Sequence, residues 1–405
     1  INLIVASLIF LQTFAAAENS APIQGLELLD VESIREEALQ GDVYAQMNLG
    51  NIYFVGEDIP QDDAEAVKWW RKAAEQGLRN AQSSLGLMYR AGRGVPQDDA
   101  EAVKWWRKAA EQEDATAQAS LGVMYVAGLG VPQDDAEAVK WWRKAAEQED
   151  AEAQASLGAM YTLGRGVPQD DAEAMKWYRK AAEQGYAAAQ SYLGGRYVDG
   201  LGVAQDYAEA VKWYRKAAEQ GDANAQSFLG GMYSRGLGVP KDFAQAAKWF
   251  RKAAEQGCAS GQAGLGTMYF GGRGGVPQDY AEAVKWYRKA AKQGDAIAQF
   301  YLGEMYYNGL GVPRDDVWAV RWYRKAAEQG NKDSQDILKV KYNIIVDAMP
   351  KTVQQIQPAT SVQQGESKSP HIERDNNPPL IDIVRPRVAN DRIVTSEYVF
   401  SIAGQ

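Results

Sequence analysis

A tryptophan that opens a Trp-aromatic pair recurs at positions 69, 105, 141, 177, 213, 249, 286 and 322. The step is 36 residues throughout, except for one step of 37 where an extra glycine enters the Gly271–Gly275 loop. Self-similarity at such a period is the mark of a tandem array, so the two or three separate domains that a chain of 405 residues would suggest give way to eight units running from about residue 41 to residue 329.

Each unit reads as two helices. In the second unit Ala81, Leu85, Met88 and Tyr89 form an i, i+4, i+7, i+8 apolar stripe that stops at Gly92, where a left-handed residue closes a helix most easily as glycine. The loop Gly92-Arg-Gly-Val-Pro-Gln97 turns the chain, and a second helix opens at Asp98 with Glu101 three residues on. That spacing predicts a capping box, in which each side chain satisfies an orphan backbone donor. Seven of the eight units keep Asp-x-x-Glu or Asp-x-x-Gln here, and the last breaks it with Trp318. Along the second helix Ala102, Trp105, Trp106, Ala109 and Ala110 share a face, while Lys104, Arg107 and Lys108 are expected to point to water.

Two sets of glycines carry further expectations. Gly77 and its equivalents end most second helices, but Glu113 and Glu149 take that place in two units, where the turn should be strained or built differently. Every first helix also holds an interior glycine after its leucine: Gly50, Gly86, Gly122, Gly158, Gly194, Gly230, Gly266 and Gly303. Each costs about 1 kcal/mol relative to alanine, so eight in register suggest that two helix backbones approach where no side chain fits.

Two short helices with half their apolar surface open cannot offset the conformational entropy of ordering 36 residues, so the units must stack on one another as a solenoid. The fold class expected is therefore all-α, a superhelical solenoid of eight helix-turn-helix repeats with capping half-repeats. Val31, Ile34 and Ala38 before Gly41 mimic a final second helix, and Ser334, Gln335 and Leu338 begin a first helix with no sequel. The expected organisation is a signal peptide over 1–17, an N-terminal capping segment over 18–40, the solenoid over 41–345, and a disordered linker with a C-terminal tail over 346–405. Ile1 to Phe14 is a short apolar run followed by Ala15, Ala16 and Ala17, which reads as the h-region and cleavage site of an exported protein, periplasmic or extracellular, with an uncleaved membrane anchor as the alternative. Met349 to Pro379 is rich in Pro, Gln, Ser and Asn, and Arg392 to Ile402 is β-branched and aromatic enough to add a strand to an offered edge.

The repeating residues resemble the Sel-one-like repeat family, relatives of the tetratricopeptide repeats. The pattern is Ala-Gln-x-x-Leu-Gly-x-Met-Tyr-x-x-Gly-x-Gly-Val-Pro-x-Asp-x-x-Glu-Ala-x-Lys-Trp-aromatic-x-Lys-Ala-Ala-Glu-Gln-Gly, and it covers roughly 290 of the 405 residues. The resemblance implies a right-handed superhelix whose first helices line a concave groove, in proteins that act as adaptors gathering other proteins. Asp58 replaces the second loop glycine of the first unit and Ala204 the loop proline of the fifth. Some cysteine-rich members staple each repeat with a disulfide and carry a β-lactamase label; a chain with one cysteine, Cys258, takes over neither.

Composition narrows the function. A net charge of -9 argues against a nucleic-acid partner, including an RNA-reading helical repeat. With Cys258 and one histidine, His371, no His- or Cys-based metal cluster can be assembled, and no cofactor is expected. Cys258 reads as a small buried residue in a helical pattern, and His371, in the linker, as inert. Ser-x-x-Lys and Lys-Thr-Gly are both missing, Lys351-Thr352-Val353 being the nearest approach, which disfavours a serine β-lactamase-like hydrolase. The tryptophans and the basic stripe beside them read as core and solvated face, not as a sugar platform or a binding stripe.

Pro60 to Gln76 recurs unchanged at Pro96 to Gln112 and Pro132 to Gln148, so specificity must sit where units differ. Those positions cluster near the ends of the first helices: Phe54, Arg90, Val126, Thr162, Val198, Ser234, Phe270 and Tyr307. A turn earlier come Asn51, Leu87, Val123, Ala159, Gly195, Gly231, Thr267 and Glu304. On the family geometry they face the groove, with Phe54, Phe270 and Tyr307 as aromatic anchors. The function expected is a non-catalytic scaffold that binds a protein or peptide there, with a periplasmic peptidoglycan binder as the alternative.

Overall fold

The computed structural model describes residues 31–56 and 59–345. The expected signal peptide, Asp58, the linker with His371 and the tail beyond it lie outside the described residues. Eighteen helices and no strand occur among the described residues, most of the helices 13 residues long. They fall into two compact units, one ending at Gln278 and the other beginning at Asp279, just after the loop lengthened by the extra glycine.

In the first unit the helix Val31–Gln40 leads into six helix pairs, from Val43–Val55 with Asp63–Glu75 to Ala223–Arg235 with Phe243–Glu255, followed by Ala259–Gly271. Its core is divided among neighbours in a regular way. Ala66, Val67, Trp70, Ala73 and Ala74 of one second helix pack with Ala81, Leu85 and Met88 of the next first helix, and Trp105 of the following second helix closes the cluster. The arrangement recurs one repeat later, where Ala102, Val103 and Trp106 meet Ala117, Leu121 and Met124, with Trp141 packed against them. The first tryptophan of each pair thus reaches back into the preceding repeat while the second aromatic fills its own.

The interior glycines do not serve the purpose read from the sequence. At Gly50, Gly86, Gly122, Gly158, Gly194, Gly230 and Gly303 it is the second aromatic ring of the same repeat, not a second backbone, that fills the space. A Cβ on Gly86 would lie 2.5 Å from Trp106 Cδ1, one on Gly158 2.8 Å from Tyr178 Cδ2, and one on Gly230 2.9 Å from Phe250 Cδ1.

The capping box is also only half made. Asp98 Oδ1 accepts from Ala100 N and Glu101 N, both at 3.0 Å. The Asp98 N–H, however, donates to Tyr89 O at 2.9 Å, which leaves Glu101 to pair with Lys104 instead. Because the aspartate alone makes the cap, the break at Trp318 is harmless: Asp315 Oδ1 still accepts from Val317 N and Trp318 N. The loop that lost its proline, at Ala204, keeps Gly200 at φ 68° and Gly202 at φ 72°, beside 66° for both Gly92 and Gly94.

The ends are capped as expected. Ile34 and Ala38 of the leading helix are buried against Leu49 and Trp69. In the second unit the helices Tyr280–Lys292, Ala296–Asn308, Asp316–Glu328 and Lys332–Tyr342 follow one another, and Leu338 is buried with Ala319, Tyr323 and Ala327. Lys339 stands where the other first helices carry glycine, so the last helix offers no recess for a further aromatic ring.

Glu113 and Glu149 hold φ at 65° and 67°, whereas the glycines at that place lie between 87° and 99°. Both side chains are exposed, and a Cβ on Gly77 would meet nothing within 4 Å, so the cost at the two glutamates is one of backbone conformation. Glu113→Gly and Glu149→Gly should each raise stability by about 1 kcal/mol, seen as a higher urea midpoint at unchanged slope. Gly86→Ala, which drives a methyl into Trp106, should lower it by about 1–3 kcal/mol.

Candidate partner-binding face

The variable positions of the first helices sit on a surface that other side chains already use. Phe54 is half-buried, with its ring centroid 5.3 Å from Trp70 and the Arg93 guanidinium 4.8 Å above it. Arg93 is fixed by a two-pronged bond to Asp63, Nε and Nη2 each donating at 2.8 Å. Arg90 lies 3.5 Å from Asp99. Val126 is half-buried against the core of the next repeat. Thr162 Oγ1 donates to Gly158 O at 3.0 Å and lies 2.9 Å from the Tyr192 hydroxyl. Ser234 Oγ donates to Gly231 O, and Phe270 is half-buried. Val198 departs from the rest: at 2 % exposure it is core and offers a partner nothing. In the second unit Glu304 accepts from the Tyr323 hydroxyl at 2.6 Å, and Lys341 lies 4.1 Å over the Tyr307 ring.

The positions one turn earlier answer to the second aromatic of their own repeat. Asn51 Oδ1 accepts from Trp70 Nε1 at 3.1 Å, just as Glu304 receives the Tyr323 hydroxyl. A polar residue here goes with an aromatic that has a proton to place. Tyr178, which meets Ala159 at this position, stacks at 3.8 Å on Tyr192 instead.

Two periodic bonds between repeats were not anticipated. The glutamine after the first-helix alanine is buried at each repeat: Gln82 Nε2 donates to Ala74 O at 3.1 Å, and its Oε1 accepts from Gln112 Nε2 at 2.8 Å. Ala74 O, at the end of the preceding helix, already accepts from Gly77 N at 3.0 Å, so the glutamine adds a second bond there and ties one helix end to the next helix. The second bond lies on the solvated face expected for Lys104, Arg107 and Lys108, which are all exposed, and gives that face partners the sequence did not indicate. Arg107 donates to the Tyr125 hydroxyl at 2.9 Å and Arg143 to Tyr161 at 2.7 Å, while Lys108 lies 4.3 Å over the Trp105 ring. The signal was present in the invariance of Gln, Tyr and Arg at 36-residue spacing, but nothing in that spacing names the partner.

Cys258 is half-exposed and not buried within a helix. It occupies the N-cap position of Ala259–Gly271 and caps nothing with its side chain, its Sγ lying 3.3 Å from Ser260 Oγ. Among the described residues no group of three or more His, Cys, Asp or Glu is placed to hold a metal ion, and no helix is long and apolar enough to cross a membrane.

The most perturbed carboxylate is Glu152, in the first turn of Ala151–Leu163. One oxygen is buried without a hydrogen-bond partner, and burial, followed by the charge of Asp150, pushes its pKa from 4.5 up to about 7. Burial and then these same carboxylates push the neighbouring Tyr186 to about 12. The folded state therefore holds the Glu152 proton more tightly than the unfolded chain does. Its stability contribution is intact below pH 4.5 and is lost as pH rises through 7, by at most about 3 kcal/mol. Glu152→Gln should match the parent protein in urea unfolding at pH 4 and exceed it at pH 8.

The chain is similar to known proteins over most of the array. The Sel1 repeat family matches at residues 43–78, 79–114, 115–150, 151–186, 187–222, 223–258, 259–295 and 296–331. A protective antigen of uropathogenic Escherichia coli displaying an SLR fold is 36% identical with a TM-score of 0.55, covering 79% of this chain and 84% of that one. A Sel1 repeat protein from Oxalobacter formigenes is 39% identical with a TM-score of 0.55, covering 76% and 89%. No curated protein matches the chain. With eight matched repeats and two relatives above a third identical along most of their length, the chain belongs to the Sel1 repeat family.

Proposed function

We propose that this protein is a non-catalytic scaffold that captures a protein or peptide on the face carrying the ends of its first helices. Sel1 repeat proteins generally mediate protein–protein interaction, which supports the class. The observation that carries the site is the distribution of variety. Asp63–Glu75, Asp99–Glu111 and Asp135–Glu147 are identical in sequence, while the first-helix positions beside them change from Phe54 to Arg90 to Val126. Stacking fixes the second helices and tolerates variety at the first-helix ends, where a partner finds different chemistry at each repeat.

In the first unit the anchors are the half-buried rings of Phe54 and Phe270, and in the second unit Tyr307 beside Glu304. Phe54 presents one ring flank under the fixed Arg93 guanidinium, an arrangement suited to an apolar side chain next to an acidic or carbonyl group. The proposal includes export, on the apolar run 1–14 and the alanines that follow it.

Crosslinking in cells followed by affinity capture tests the reading. A reproducible protein partner is expected from the parent chain. Phe54→Ala with Phe270→Ala, and Tyr307→Ala separately, should each reduce recovery severalfold with the helical circular dichroism unchanged. Recovery of peptidoglycan fragments without a protein, or undiminished capture by all variants, would overturn it.

A further inference from the structure

The repeats act as controls for one another, and one of them departs from the rest in surface charge. On the second helices the lysine before the Trp-aromatic pair is matched by the glutamate three residues earlier: Lys68 with Glu65 at 2.8 Å, Lys104 with Glu101 at 2.8 Å, and Lys176 with Glu173 at 2.7 Å. In Phe243–Glu255 that glutamate is Gln245, the residue after the cap aspartate is Phe243 where the first four repeats have aspartate and the two flanking ones Tyr207 and Tyr280, and the preceding loop carries Lys241 where all five earlier repeats have glutamine before the same cap aspartate. Lys248 consequently has no carboxylate within 4 Å among the described residues. Arg251, whose counterparts Arg107 and Arg143 donate to tyrosines, has neither a tyrosine nor a carboxylate partner there.

These cations share one exposed helix face. Lys248, Arg251 and Lys252 stand at i, i+3 and i+4. Beside them opens a cavity of about 280 Å³ with Ala244, Ala247 and Val276 as apolar lining and the Gly274–Gly275 loop at its rim. Glu255 is the one carboxylate among its lining residues. Beyond it, Lys241 and Arg273 lie 4.9 and 5.1 Å over the Phe243 ring. In a chain of net charge -9, this is an unneutralised basic patch built by two departures from the chain's own repeat, Lys241 and Gln245, beside an aromatic that the flanking repeats also carry.

We propose that this cavity seats carboxylate side chains of an acidic segment of a protein partner. The inference rests on the scaffold reading above and gives it a second contact surface. The apolar lining suits the methylenes of a glutamate and the cations at the rim its carboxylate. From Lys248 to Lys252 the helix rises about 6 Å, and Lys241 and Arg273 continue the positive surface, a length that matches several carboxylates in series better than one compact anion.

The test is fluorescence anisotropy of a labelled hexaglutamate peptide titrated with the full chain at low salt. The decisive variant is Lys241→Gln/Phe243→Asp/Gln245→Glu, which installs the residues that the first four repeats carry and therefore preserves the helix; circular dichroism and the thermal midpoint check this. Binding by the parent chain should weaken about tenfold or more in this variant and in Arg251→Ala, and should fall steeply with salt. Lys140→Ala in the third repeat should leave it unchanged, and because the peptide assay does not use the partner captured in cells, failure of the patch is separated from failure of the first-helix reading. No binding by the parent, equal binding by the restored variant, or displacement of the peptide by inorganic phosphate far beyond chloride of equal ionic strength would each refute the proposal.

Discussion

The Trp-aromatic pair is the contact on which the array depends. Its first ring enters the cluster made by the preceding repeat's second helix and its own repeat's first helix, as Trp105 does among Ala66, Leu85 and Met88, and its second ring occupies the recess left by the interior glycine of its own repeat. Two adjacent residues on one helix therefore tie together three consecutive helices. Truncating a ring of this size in a core costs about 3–5 kcal/mol, and here the loss would fall on an interface as well as on a repeat. The glycine and the ring are one device: the glycine's helix penalty, about 1 kcal/mol, is offset by the aromatic surface it admits.

Polar bonds fix the register that the rings leave open. Alanine-rich helix faces slide easily, because small side chains offer shallow ridges. The buried glutamines remove that freedom: Gln118 joins Ala110 O of the preceding second helix to Gln148 of its own, at 3.1 and 2.8 Å. A slip of one residue would leave the buried amide unsatisfied. The Arg–Tyr bonds on the other side of the second helix add a second constraint at the same interval, exposed and correspondingly weaker.

The architecture was legible in the sequence because period, loop glycines and cap aspartates each report a local requirement. Helix bounds, loop positions, both end caps and the strained Glu113 and Glu149 turns follow from those signals alone. Partner identity was not legible, and the reason is specific to repeats. Arg107 is 18 residues from Tyr125 and equally 18 from Tyr89, so spacing cannot say which tyrosine it meets; the structure chooses Tyr125, in the next repeat. The interior glycines were misread for the same reason, since invariance shows that space is needed but not whether a backbone or an indole fills it. At the capping box, local chemistry offered Glu101 to the Asp98 N–H, and a carbonyl brought round by the loop, Tyr89 O, took it first.

This ambiguity also sets what variation means in such a chain. Residues that serve stacking appear in every repeat and carry no information about a partner, however conspicuous their chemistry; the basic residues of the second helices are largely of this kind, held by glutamate, tyrosine or tryptophan. Residues that vary on a surface where stacking makes no demand are the ones available to recognition. Val198 shows the limit of the rule, being variable in type yet buried, in the one repeat that carries Arg196 where the others have isoleucine or methionine. Gln245 satisfies the rule: it stands where other repeats carry a glutamate that pairs with the lysine three residues on, the cap is made by Asp242, and its effect falls on the charge left on Lys248. Stacking makes no demand that accounts for Gln245, and this is the change on which the proposed acidic contact rests.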